Sequence, residues 1–100
     1  MENKINYIIT EIINNNKILK YKFIYPDNRS ILKSGDIIKY IDLNYKINNK
    51  KIVTGILIKF NINKLFLKSF DNKLFWSIKI NNNYIFYYRP YFDLLENLDI

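Results

Sequence analysis

Lys68 stands between Phe66 and Phe70 at a spacing of two residues, and Lys79 follows Phe75 and Ser77 at the same spacing. On extended backbone, residues two apart share a face. Both segments therefore set aromatic rings and ammonium groups side by side. Unpaired bases stack on such rings at about 1–3 kcal/mol each while lysines follow the phosphate backbone. Lys50, Lys51 and Lys73 add positive charge in two short polar segments, and Tyr87 and Arg89 close the densest aromatic run of the chain, Tyr84–Tyr88. The candidate nucleic-acid contacts are thus Lys50, Lys51, Lys68, Lys73, Lys79 and Arg89 for charge, with Phe66, Phe70 and Tyr87 for stacking. A second use competes for the same rings: Phe66, Phe70 and Phe75 also suit an apolar seat beneath flanking helices. Trp76 falls in register with Leu74, Ile78 and Ile80 and reads as core.

Other chemistry is largely closed. The 100 residues include no Cys and no His, which removes thiolate nucleophiles, imidazole acids and bases, disulfides and ordinary zinc sites. Asp36, Asp42, Asp71, Asp93 and Glu96 are scattered, with no pair spaced for acid and base roles and no Gly-rich phosphate loop. The expectation is a non-enzymatic protein without metal or cofactor. Sixteen basic residues against nine acidic ones give a net charge of +7. The excess is local: residues 37–89 hold ten basic and two acidic groups, whereas 90–100 hold three acidic and no basic ones. Ile, Asn and Lys occur 20, 16 and 14 times, which points to an AT-rich genome as one source of the lysines. No basic-then-apolar leader opens the chain and its apolar runs are short, so neither a signal peptide nor a membrane span is expected. The lack of Cys agrees with an intracellular setting.

Several elements must position these residues. Ile5, Ile8, Ile9, Ile12 and Ile13 follow i, i+3, i+4, i+7 and i+8, which predicts an N-terminal amphipathic helix ended by Asn14–Asn16. Residues 17–25 suggest a short strand, and Pro26-Asp27-Asn28 a turn. After Ser34-Gly35-Asp36, a long strand is expected through residue 47, because Leu43, Tyr45 and Ile47 alternate with polar residues. Further strands are expected over 52–60, 65–70, 74–80 and 84–89. Short Asn-rich connections at 48–50, 61–63, 71–73 and 81–83 predict a meander of hairpins. In a meander, alternate turns share an end, which would gather Lys50, Lys51 and Lys73. Asn replaces scarce Gly at turn positions in the left-handed region, and Gly55 suggests a sharp bend or a close neighbour. Leu94, Leu95 and Leu98 suggest a short C-terminal helix.

These elements predict one α+β domain over 1–100. A helix and a short strand extension fill 1–36, a five-stranded antiparallel small barrel fills about 37–89, and a C-terminal helix fills 90–100. The segment from Ser34 to Arg89, with its Gly35-Asp36 entry and Trp76 in the fourth strand, resembles SH3-like and Tudor-like small barrels. The layout of GDIIKYI (35–41), TGILI (54–58), FWSIKI (75–80) and IFYYR (85–89) is similar to that of small proteins from large DNA viruses with AT-rich genomes. That resemblance implies a host cytoplasm or virion setting and a binding or particle-structure role. Two partner classes follow: nucleic acid, on the charge and aromatics of the barrel, or another protein of a viral or host assembly.

Overall fold

The computed structural model describes residues 2–90. Helix α1 spans Glu2–Asn16, followed by strand β1 (Lys22–Ile24), a 3-10 turn (Pro26–Ile31), and strands β2 (Ile37–Asp42), β3 (Val53–Phe60), β4 (Lys64–Lys68) and β5 (Phe75–Lys79). A second 3-10 turn (Ile80–Asn82) leads into β6 (Asn83–Tyr88). The strands form one antiparallel six-stranded sheet in the order β1-β6-β2-β3-β4-β5. The domain is α+β, and the sheet is not closed: β1 and β5 are its edges. The expected C-terminal helix, with Leu94, Leu95 and Leu98, lies outside the described residues.

Three expectations need correction. The first long strand ends at Asp42, because the Asp42 carboxylate accepts the Asn44 N–H at 2.7 Å and starts a run of turns closed by Tyr45 N–H to Asp42 O and Lys50 N–H to Tyr45 O. Leu43, Tyr45 and Ile47 alternate in sequence but lie on turns. The Asn81–Asn83 segment is not a hairpin; the 3-10 turn carries the chain over so that β6 pairs with β2 instead of β5. Finally, the short strand expected within residues 17–25 is β1, and it joins the sheet on the far side of β6, so the sheet has six strands where a five-stranded barrel was expected.

Each strand has an inner and an outer face. Ile24, Ile38, Leu57, Leu65, Leu67, Ile85 and Tyr87 point inward and form one buried cluster, joined by Leu32 and Ile80 and flanked by Tyr40, Phe60, Trp76 and Ile78. Residues from both edge strands share this cluster, so the sheet must curl around it. The curl is anchored where the indole N–H of Trp76 on β5 donates to the Tyr40 hydroxyl on β2 at 2.8 Å, across two intervening strands. Burial raises the Tyr40 pKa, and the bond from Trp76 pulls the other way. Gly55 explains how the indole fits. A Cβ there would lie 2.9 Å from Trp76 Cζ2, so the glycine makes room for a close neighbour.

Helix α1 seats on the outer face of only half the sheet. Ile9 and Ile12, with Ile8 and Ile13 beside them, pack with Ile18, Ile41 and Phe86 against Phe23 and Tyr84. That face belongs to β1, β6 and β2. The helix ends with Lys17 in the left-handed region (φ 55°) and the Ile18 N–H bonded to Ile13 O at 3.1 Å, the six-to-one bond of a Schellman cap. Asn49 and Asn72 occupy left-handed turn positions as expected of Asn, while Gly35 has φ 95°.

Candidate nucleic-acid interface

The outer face of β3, β4 and β5 carries no helix among the described residues. Strand register sets three rungs on it: Lys64 opposite Lys79, Phe66 opposite Ser77, and Lys68 opposite Phe75. Their neighbours Leu65, Leu67, Trp76 and Ile78 point the other way, into the core. A β-bulge supplies the next charge. Leu57 pairs with Leu67 but Lys59 pairs with Phe66, so Ile58 is an extra residue. In unbroken register Lys59 would face Leu65 and point inward. The bulge re-aims it. Its ammonium lies 5.2 Å from the centre of the Phe66 ring, within cation–π range. The same shift turns Phe60 inward against the core.

This half-face thus presents Lys59, Lys64, Lys68 and Lys79 around Phe66 and Phe75, and none of its three strands contains an acidic residue. Phe75 is 65% exposed. A shallow hollow of about 370 Å³ runs between Ile58, Lys59, Phe66, Phe75 and Ser77. Lys39 marks the border with the covered half; it donates to Thr54 Oγ1 at 2.8 Å and lies 5.4 Å from the Tyr21 ring. The arrangement can take up an anion beside a flat apolar group.

The structure sorts the sequence-derived candidates into three groups. Phe66, Lys68 and Lys79 share the open half-face. Phe70 and Lys73 lie in the β4–β5 connection, where Phe70 is 59% exposed. In that turn the Asp71 carboxylate accepts from the Ser69 hydroxyl and the Lys73 backbone N–H, which together hold its pKa below the usual value. Lys50 and Lys51 border a different hollow of about 370 Å³, with Asn15 and Asn16 at the end of α1. The apolar seat for α1 is provided by Ile41, Phe23 and Phe86, not by Phe66, Phe70 and Phe75, because β6 and β1 extend the outer face on the other side of β2.

Tyr87 and Arg89 are not on this surface. The Tyr87 ring is buried in the inner core. Arg89 grips Asp36, which is 1% exposed, through Nε to Oδ1 at 2.7 Å and one terminal nitrogen to Oδ2 at 2.8 Å. The same nitrogen reaches Ile31 O at 3.0 Å, and Lys33 N–H also donates to Asp36 at 2.8 Å. The pair locks the end of β6 to the entry of β2. Sequence reasoning missed this pairing and missed Lys59 and Lys64 as face residues. The bulge leaves no mark in the alternation pattern.

Among the described residues, no cluster of His, Cys, Asp and Glu could hold a metal ion, and no helix is long and apolar enough to cross a membrane. No family model, no curated protein and no solved structure matches the chain. The geometry of the surface therefore carries the functional argument.

Proposed function

We propose that this domain is a non-enzymatic binding module that takes single-stranded nucleic acid on the open half-face of β3, β4 and β5. The carrying observation is a surface built from three strands without an acidic residue, on which Lys59, Lys64, Lys68 and Lys79 surround Phe66 and Phe75. The rings stack on bases and the ammonium groups neutralise phosphates. Contacts made by charge and by stacking tolerate any base, so the binding has little sequence preference. The curled sheet around one core favours an SH3-like small-barrel kinship, and the composition favours an intracellular viral setting. Mapping backbone amide shifts in the full chain on addition of an unlabelled oligothymidylate tests the proposal. Shifts centred on residues 58–60, 64–68 and 75–79 are expected; shifts confined to the α1 side, or none at low salt, would refute it.

A second reading, a protein-assembly module, is favoured by one observation. Leu43 and Ile47 are exposed beside Ile8, Tyr45 and Tyr84, bordering an apolar hollow of about 250 Å³. Contiguous exposed apolar surface suits a protein partner. A small component of a viral or host assembly would use this side, and the two readings place their ligands on different halves of the molecule.

A further inference from the structure

We infer that the hollow bounded by Lys64, Lys79, Asn63, Asn81 and Asn82 holds a phosphate monoester dianion. On the nucleic-acid reading, on which this inference rests for its source, that group is the phosphorylated end of the strand. Lys64 and Lys79 are direct cross-strand partners on the outer face. Like charges placed directly opposite destabilise a sheet, and neither ammonium has a salt-bridge partner among the described residues. The pair therefore presents two ammonium groups on one rung with no carboxylate from the described residues bound to either.

The surroundings supply donors. The Ile80 N–H bonds to Asn63 O at 2.9 Å and brings the β3–β4 turn against the 3-10 turn, so that three Asn side chains border one space of about 330 Å³ with the two lysines. Asn61 spends its side-chain oxygen on the N–H groups of Asn63 and Lys64, and Asn83 spends its amide on Lys79 O. The side-chain amides of Asn63, Asn81 and Asn82 make no hydrogen bond to the described protein. Each keeps two N–H donors free. Among the described residues no carboxylate borders the hollow.

The charge count selects the ligand. An internal phosphodiester carries one negative charge, whereas a phosphate monoester carries about 1.5 to 2 at neutral pH, matching two unpaired ammonium groups. Position agrees. The next outer rung, Phe66 opposite Ser77, lies two residues along the strand, about 6.6–6.8 Å away, so a phosphate in the hollow leaves the adjoining base beside the Phe66 ring.

The test compares, on the full chain, one oligothymidylate carrying a 5′-phosphate, a 3′-phosphate or hydroxyls at both ends, together with inorganic phosphate alone. One phosphorylated end is expected to raise affinity by about tenfold, and the Lys64→Gln/Lys79→Gln variant should abolish that ratio while folding normally. Binding of all three oligonucleotides with equal affinity would overturn the inference and leave the nucleic-acid reading intact. If no oligonucleotide binds but inorganic phosphate shifts the Asn63, Asn81 and Asn82 side-chain amides, the phosphate site stands and the strand reading falls. Failure of every ligand removes both.

Discussion

Replacing Arg89 with Ala should be the most damaging single change outside the apolar core. Asp36 is buried and accepts three hydrogen bonds, two of them from the Arg89 guanidinium. Removing that partner leaves a carboxylate sealed from water with a single backbone N–H. Breaking a buried pair from one side typically costs about 3–5 kcal/mol, against a total stability of about 5–15 kcal/mol for a domain of ordinary size. At about 4–8 °C per kcal/mol in a chain of this length, melting should fall by about 12 °C or more. Urea titration followed through Trp76, the only tryptophan, reads the loss directly. Replacing both partners with apolar residues of similar volume, Asp36→Leu/Arg89→Met, should recover much of it, because no charge is then stranded. A loss below about 1 kcal/mol for Arg89→Ala, or a double variant as unstable as the single one, would refute the argument.

Three further changes probe other joints of the fold. Gly55→Ala would put a methyl 2.9 Å from Trp76 Cζ2 and 3.3 Å from Leu67 Cβ. It should cost about 1–3 kcal/mol and red-shift Trp76 emission as the indole leaves Tyr40; unchanged emission would deny the close packing. Lys17→Gly should stabilise the protein by about 1 kcal/mol in thermal or urea unfolding, since a left-handed residue with a Cβ costs about 1–2 kcal/mol; a loss of stability would contradict the helix cap. The Asp71 carboxyl, held low by Ser69 and the Lys73 N–H, contributes order to the β4–β5 turn that is present above its ordinary unfolded value and lost as pH falls through the lowered folded one. Ser69→Ala should move the Asp71 titration, followed by carboxyl NMR, back up toward the ordinary value; no movement would remove the hydroxyl as the cause.

Local periodicity made some elements legible and non-local choice hid others. The Ile stripe predicted α1 because helical spacing is a property of the segment itself. The approximate spans of β3, β4 and β5 were also readable, with inner Leu65 and Leu67 and outer Phe66 and Lys68 assigned correctly, but Leu74, expected in register with Trp76, lies outside β5 and is 65% exposed. Alternation then failed at Leu43, Tyr45 and Ile47, where a side-chain cap at Asp42 ended the strand without disturbing the pattern. Partner selection lay further out of reach. That β6 joins β2 and β1 depends on the whole curl of the sheet, and this decides which rings α1 covers. The Asp36–Arg89 pair left one faint trace: an Arg persists in a chain whose other basic residues are, with the exception of Arg29, all Lys. Bidentate geometry is what Lys cannot supply. The bulge that turns Lys59 outward left none.

The most direct test of the account is the salt dependence of oligothymidylate binding, measured by fluorescence anisotropy on the intact chain and on Lys59→Gln/Lys68→Gln. With Lys59, Lys64, Lys68 and Lys79 on the half-face, four neutralised phosphates give a slope of about −3 in log affinity against log salt, and removing two gives about −1.4. Those two slopes, with Phe66→Ala weakening binding at every salt concentration, are what the account predicts. Absence of binding at low salt, or an identical slope in the variant, would contradict it.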